Sequence, residues 1–512
     1  MLFNSYEFIF FFLPISLIVF FYLGNLGHYR VALSWLIGVS LFFYAWWNPA
    51  YLGLLLFSIL FNYAFGVALS RQSDQNSGRK KLALWIGVGT NLFFLGYFKY
   101  TNFLIDSLHT LTSLYWHIDK IILPLAISFY TFTQIAYLVD AYRGETREYN
   151  FLHYVLFVVF FPHLIAGPIV HHREMLPQFA RPETYRPQLS NLSVGITVFI
   201  IGLFKKVAIA DTFATYASPA FLIADNGGTL NCFQAWEGAI AYTLQLYFDF
   251  SGYSDMAIGL ARLFGIRFPL NFNAPYQACN IIEFWRRWHM TLSRFLRDYL
   301  YIALGGNRKG EFRRYLNLFV TMLFGGLWHG AGWNFIIWGG LHGLYLVINH
   351  LWQRLVPVSI DRWWSRGIAR TFTLLAVVIG WVFFRATTID GALAILKAMI
   401  NLPSNLHGHI GPLEQFMTTI GFRFDSGYFA TEHYLKLGIL CFWLWILMAW
   451  PTTQQLMRHF EPAIDYKAKG CDALEDKLIW QPNTIWSVLI GFIAVISILH
   501  LGNISEFLYF QF

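Results

Sequence analysis

The sequence predicts an all-α, polytopic membrane protein, and three observations carry that prediction. Of the 512 residues, 57% are hydrophobic and only 12% charged, against about 25% charged in a soluble domain. Apolar runs that approach or reach the roughly 20 residues needed to span a bilayer recur along the whole chain. Lys and Arg gather in short stretches between those runs, where they set orientation. The net charge of +8 is thereby accounted for by topology, and no basic domain is left over for nucleic acid.

The runs fall at Phe8–Leu23, Val31–Trp47, Tyr51–Leu69, Leu82–Leu104, Ile121–Val139, Phe151–Val170, Ser193–Ala210, Ala235–Phe264, Leu316–Leu351, Thr371–Phe384, Tyr434–Trp450 and Ile485–Leu501. Some are expected to be re-entrant or interfacial rather than spanning. The first six residues carry no Lys or Arg and no small-residue cleavage site follows, so the first run is expected to stay as a membrane helix. Arg71, Arg79, Lys80 and Lys81 place the next basic loop in the cytoplasm. Three runs precede it, so the N-terminus is expected outside. The loop from Arg143 to Glu148 and the strongly basic stretch from Arg286 to Arg314 are cytoplasmic by the same rule. Residues 1–512 read as one membrane-embedded domain with its core over 121–350 and polar loops at about 401–431 and 457–482. Cys232, Cys279, Cys441 and Cys471 read as isolated thiols, and no zinc spacing, Walker loop or nucleophile elbow is present.

Ionisable groups at membrane depth must face protein or a water-filled cavity, which singles out four places. In "EFWRRWHMTLSRFLRDYL", Glu283–Leu300, a single helix would gather Arg286, Arg287, Arg294 and Arg297 with Glu283 on one face. Trp285, Trp288 and Leu292 would lie opposite, giving a basic interfacial helix aimed at phosphates. His289 would then sit at the edge of the apolar face, which by helix geometry alone reads as a packing histidine. In "GGLWHGAGWNFIIWGGLHG", Gly325–Gly343, the parent run is too long for one perpendicular span, so it must tilt, break or be two elements. His329 would lie roughly 20 Å along a helix starting near Leu316. Depth and glycine density make it a cavity residue, with His342 on another face as the weaker candidate. In "LQLYFDFSGYSDMAIG", Asp249 is either a cavity-wall carboxylate or structural, and Asp255 or Ser254 is expected to cap a new helix after a break. His163 lies in the fourth place, "FFPHLIAGPIVHHRE", where the adjacent His171 and His172, with Arg173 and Glu174, read as interface residues.

Several long stretches occur together in order: "LPLAISFYTFTQIAYLVDAYRG", "FFPHLIAGPIV", "LYFDFSGYSDMAIGLARLFGIRFPLNFNAPY", "EFWRRWHMTLSRFLRDYLYIALGGNR", "GGLWHG" and the final "FLYFQF". This combination resembles the membrane-bound O-acyltransferase family, in particular its bacterial branch for alginate O-acetylation and teichoic-acid D-alanyl transfer. The resemblance implies a ring of roughly 11–13 membrane helices, with re-entrant and interfacial ones, around a thin centre and a tunnel. It places the family's characteristic histidine on His329 and its second histidine on His289.

What this implies is an acyltransferase that takes an acetyl group from a cytoplasmic thioester and delivers it across the membrane for O-acetylation of an exported polysaccharide. The donor would be acetyl-CoA or an acyl-carrier thioester, a substrate rather than a bound cofactor, and no metal is expected. His329 would be general base on the acceptor hydroxyl. An imidazole suits that task because its ordinary pKa of about 6.5 leaves it mostly unprotonated at pH 7. His289 would position a substrate or help move the proton. Trp285 and Trp328 would line the path, with Arg286, Arg287, Arg294, Arg297 and Asp249 toward the donor. Periplasmic transfer proteins, the polysaccharide, membrane lipids and an acyl carrier are the expected partners, in a bacterial plasma membrane. D-alanyl transfer, and acetylation of peptidoglycan or cellulose, stay open as alternatives. So do a transporter or flippase and a purely structural synthase subunit.

Overall fold

The computed structural model describes residues 1–71, 77–112, 119–146, 150–356, 362–403, 419, 423–425, 431–464 and 478–502. The final "FLYFQF", Cys471 and parts of both polar loops lie outside the described residues. The chain is an all-α polytopic membrane protein. Its helices are α1 (Leu13–Asn25), α2 (Tyr29–Ala45), α3 (Ala50–Arg71), α4 (Ser77–Leu95), α5 (Thr101–Thr112), α6 (Ile127–Arg143), α7 (Phe151–Val159), α8 (Phe161–Leu164) and α9 (His172–Phe179). They continue with α10 (Leu189–Phe204), α11 (Asp211–Asp225), α12 (Cys232–Leu263), α13 (Ile281–Arg287), α14 (Met290–Phe295), α15 (Glu311–His329), α16 (Trp333–Leu355), α17 (Trp363–Arg385) and α18 (Ile389–Met399). Helices Thr431–Ala449 and Thr484–His500 follow.

Among the described residues, five helical stretches are long and apolar enough to cross a bilayer: Phe8–Asn25, Ala50–Arg71, Gly78–Thr112, Leu189–Asp225 and Trp363–Arg385. Two of them are joined helices: a π-helical turn, Gly96–Tyr100, links α4 to α5, and another, Lys205–Ala210, links α10 to α11. A short parallel pairing of Asn401–Pro403 with Arg423–Asp425 is also present.

The expected break around Ser254 and Asp255 is absent. Helix α12 is continuous for 32 residues, started by an Asn231 capping box. Two glycine pairs bring α10 and α12 backbone to backbone instead. A Cβ on Gly259 would sit 2.7 Å from the Gly195 carbonyl oxygen, and one on Gly252 2.7 Å from that of Gly202. Small residues at such crossings let membrane helices pack tightly. Asp255 caps nothing; its carboxylate takes a 2.6 Å ion pair from Lys205 and a 2.7 Å hydrogen bond from the Thr453 hydroxyl.

The long run 316–351 is two elements. Helices α15 and α16 form an antiparallel hairpin that turns at Gly330–Gly332, with His329 the last residue of its first arm. Gly326 and Gly339 face each other across the hairpin. A Cβ on Gly339 would fall 2.5 Å from the Met322 carbonyl oxygen, and one on Gly326 would collide with that of Phe335. The hairpin tip is fixed from outside by Asn334, whose side-chain amide donates to the Ala386 carbonyl at 2.6 Å.

The glycines of this stretch are therefore not equivalent. Gly326→Ala is expected to destabilise the protein on the order of 1–3 kcal/mol through overpacking, read as a lower apparent Tm in detergent. Gly340→Ala should be nearly neutral, because a Cβ there meets Leu323 at an ordinary 3.6 Å.

Candidate active site

The hairpin tip carries His329 into an aromatic cage. Its ring centroid lies 4.8 Å from that of Trp328 and 5.1 Å from those of Trp338 and Phe384. The side chain is buried, and its Nδ1 makes no hydrogen bond among the described residues. The ring is thus held between apolar walls with one ring nitrogen unpartnered among the described residues.

His289 lies beside it, with ring centroids 6.2 Å apart. The helix expected to run unbroken over 283–300 is interrupted here, because His289 adopts a left-handed backbone, φ 42° and ψ 53°, between α13 and α14. Such a conformation is costly for a side-chain-bearing residue and persists only when its surroundings enforce it. Asn271 enforces it. Its carbonyl oxygen accepts from Met290 N at 2.9 Å, and its Oδ1 accepts from Thr291 N and Oγ1 at 3.3 and 2.9 Å. A backbone N–H can only donate, so the amide oxygen must face that side. His289 Nδ1, 3.1 Å from the same oxygen, is therefore the protonated nitrogen of a neutral ring. That leaves Nε2 as a buried lone pair with no partner among the described residues.

The break also divides the expected arginine face. Arg287 pairs with Glu283 at 2.6 Å and reaches the Asn273 carbonyl. Arg294 is clamped by Glu174 through bonds of 2.5 and 2.9 Å, and Arg297 pairs with the adjacent Asp298 at 2.7 Å. Arg286, Arg294 and Arg297 still line one cavity of about 480 Å³, together with Trp285, Met290, Thr291 and His350. Arg287 is not in that lining. Neither is Asp249, which is buried and ion-paired with Lys206.

A second cavity, of about 300 Å³, reaches His329. It is lined by Trp47, Lys99, Ile122 to Phe129, Ile165, Trp328 and His329. Trp328 stacks on Phe132 at 5.5 Å and stands 5.8 Å from the His289 ring. Trp285, which lines the first cavity, forms one contiguous layer of rings with His342, Trp338 and the two histidines, neighbouring centroids lying 4.9 to 6.2 Å apart.

Three features of this layer were not singled out as functional by the sequence patterns. Lys99, in the π-helical turn Gly96–Tyr100, is buried against the tip of α15. A single lysine inside the apolar run 82–104 is the signal that marks it, since an intramembrane cation needs a reason. His342 sits on α16 rather than on a continuation of α15, which removes the basis for ranking it low. It is fully buried, and its Nδ1 accepts from the Trp285 indole at 3.3 Å. Asn271 carries no sequence signature at all. His163 and His171 are buried, His171 Nδ1 lies 3.2 Å from the Tyr299 hydroxyl, and the half-buried His172 has its Nδ1 2.9 Å from that of Thr146.

Comparison with known proteins agrees with this architecture. The family model described as MBOAT, membrane-bound O-acyltransferase family, matches residues 76–385. A peptidoglycan O-acetyltransferase of Helicobacter pylori is 45% identical over 428 residues, covering 78% of this chain and 80% of that protein. A probable alginate O-acetylase AlgI of Pseudomonas putida is 45% identical over 407 residues, with 78% and 80% coverage. A teichoic acid D-alanyltransferase of Streptococcus thermophilus is 27% identical over 282 residues, with 51% and 68% coverage.

Proposed function

The chain belongs to the membrane-bound O-acyltransferase family and is an acyltransferase; on that premise we propose that it carries acetyl groups from a cytoplasmic thioester through the membrane to O-acetylate an envelope or exported polysaccharide. One observation carries this reading. One cavity is lined by His329 itself, and a second, arginine-lined one is linked to it through the contacting rings of Trp285 and Trp338, so a donor and an acceptor can meet at this histidine.

Sidedness follows from charge. The 480 Å³ cavity is bordered by Arg286, Arg294 and Arg297, within the most basic stretch of the chain, and faces the cytoplasm by the positive-inside rule. The 300 Å³ cavity is bordered by Trp47 and Ile122 to Phe129. Helices α3 and α6 lead from these residues to the basic ends at Arg71 and Arg143. This cavity therefore opens on the other face of a bacterial plasma membrane, with the N-terminus outside.

In the reaction, the acceptor hydroxyl oxygen attacks the thioester carbonyl carbon while His329 takes the hydroxyl proton. Collapse of the tetrahedral intermediate re-forms the carbonyl, breaks the C–S bond and expels a thiolate, which recovers that proton. His289 Nε2, a buried lone pair with no partner among the described residues, would relay the proton between base and leaving thiolate. The greater identity to O-acetyltransferases than to the D-alanyltransferase favours acetyl over D-alanyl. Extracytoplasmic transfer proteins would carry the acetyl onward where the polymer itself cannot reach the site.

Mass spectrometry of envelope and exported glycans from a deletion strain tests the proposal and names the acceptor. Loss of one class of O-acetyl ester, restored by complementation, is the expected result; an unchanged ester profile contradicts it. The donor side has its own test. Arg286→Gln and Arg297→Gln should raise the KM for acetyl-CoA several-fold in membrane vesicles with kcat little changed. Arg287→Gln, whose guanidinium lies outside the cavity lining, should not move KM.

A further inference from the structure

The outer cavity that His329 lines also holds a buried lysine. Lys99 Nζ donates to the Trp328 carbonyl oxygen and to Ser128 Oγ at 3.3 Å, with the His329 carbonyl oxygen 3.5 Å away. All of these are neutral oxygens. Its side chain is 7% exposed, and it lines the cavity together with Ser128 and His329. An ammonium at membrane depth without an acid beside it is expensive unless its charge is used. It sits in a π-helical turn, a distortion that recurs at functional sites.

Ser128 lies in the first turn of α6, after Ala126 at φ 60°. The partly positive N-terminus of that 17-residue helix is therefore also directed at the cavity. Lys99 has only protons to give, so Ser128 Oγ accepts from it, and the serine's own hydroxyl proton is left to donate elsewhere. His329 lines the same cavity, buried, with Nδ1 unpartnered among the described residues. A base and a polarised donor lining one cavity is the pairing that a tetrahedral intermediate requires.

We propose that Ser128 donates a hydrogen bond to the oxyanion formed on the thioester carbonyl, and that Lys99 polarises and positions Ser128 for this task. As the acceptor oxygen bonds to the carbonyl carbon, the C=O π electrons move onto oxygen, where the Ser128 hydroxyl, polarised by Lys99, stabilises them. They return when the C–S bond breaks. Ser128 is thus the catalytic group and Lys99 the positioning residue. The inference rests on the reading of His329 as base.

A purely structural role for Lys99 predicts something different. Carbonyls at the end of α15 are also held by Tyr100, whose hydroxyl donates to Leu327 O at 2.7 Å. If Lys99 only caps that helix end, Tyr100→Phe and Lys99→Met should behave alike. The test measures transfer from radiolabelled acetyl-CoA in membrane vesicles for Ser128→Ala, Lys99→Met, their double variant, Tyr100→Phe and His329→Ala.

The expected result is a fall in kcat of about 10²-fold for Ser128→Ala and for Lys99→Met, with acetyl-CoA KM unchanged. The double variant should be little worse than either single one, and Tyr100→Phe should lose only a few-fold. Full kcat in Ser128→Ala, or independent multiplicative losses in the double variant, overturns the inference. So does a Tyr100→Phe loss equal to that of Lys99→Met. Activity remaining in His329→Ala would instead overturn the reading of the base, so the two failures are distinguishable.

Discussion

Replacing His329 with alanine is expected to abolish acyl transfer while the protein still inserts and folds. Loss of a general base removes about 10² to 10⁴ in rate, and nothing in the cage replaces it. Trp328, Trp338 and Phe384 surround the ring, and none of them can accept a proton at neutral pH. The fold should tolerate the change better than the chemistry, because the hairpin is fixed by Gly326–Gly339 packing and by Asn334 rather than by a bond to the His329 ring. Alanine does leave a cavity, so His329→Gln, which keeps most of the volume, provides the control. Both variants should insert at wild-type levels and lack detectable transfer. Substantial activity in either would remove His329 from the reacting centre.

Lys206→Met is expected to have the largest effect on stability. Lys206 is 1% exposed and sits between two carboxylates, Asp249 and Asp211, the latter at 2.8 Å. The π-helical turn Lys205–Ala210 carries two successive lysines, and successive helix positions diverge by about 100°. Lys205 therefore reaches Asp255 while Lys206 reaches Asp249. Removing one member of a buried pair typically costs about 3–5 kcal/mol, because the remaining charge is stranded. The variant should show a sharply lower folded yield and apparent Tm by fluorescence-detected size-exclusion chromatography. Asp249→Asn should be destabilised less, since Lys206 retains Asp211. A donor-binding role for Asp249 would instead leave stability intact and raise the acetyl-CoA KM.

These two residues also show what a sequence can and cannot carry. The membrane elements were legible because hydropathy is local, and the hairpin because 316–351 is too long for one span. His329 was legible from its depth among glycines. Asp249 was visible as an anomaly but not its counter-ion, which comes from another helix. The helix break at His289 was hidden for a similar reason. Periodicity favours a continuous helix over 283–300, and what overrides it is Asn271, 18 residues earlier in the chain, clamping the turn. His342 was ranked low on the geometry of one long helix, and that geometry failed when the chain reversed at Gly330–Gly332. Lys99 needed no tertiary information. It broke the same rule that drew attention to Asp249, and a uniform application of that rule finds it.

The central claim is that acyl donor and acceptor enter from opposite faces and meet at His329. Sealed membrane vesicles of known orientation test this directly, with radiolabelled acetyl-CoA supplied only to the cytoplasmic face and envelope glycan only to the other. The account predicts labelled, alkali-labile ester on the glycan with wild-type protein and none with His329→Ala. Label transferred equally by the His329→Ala variant, or only when donor and glycan share one face, would contradict it.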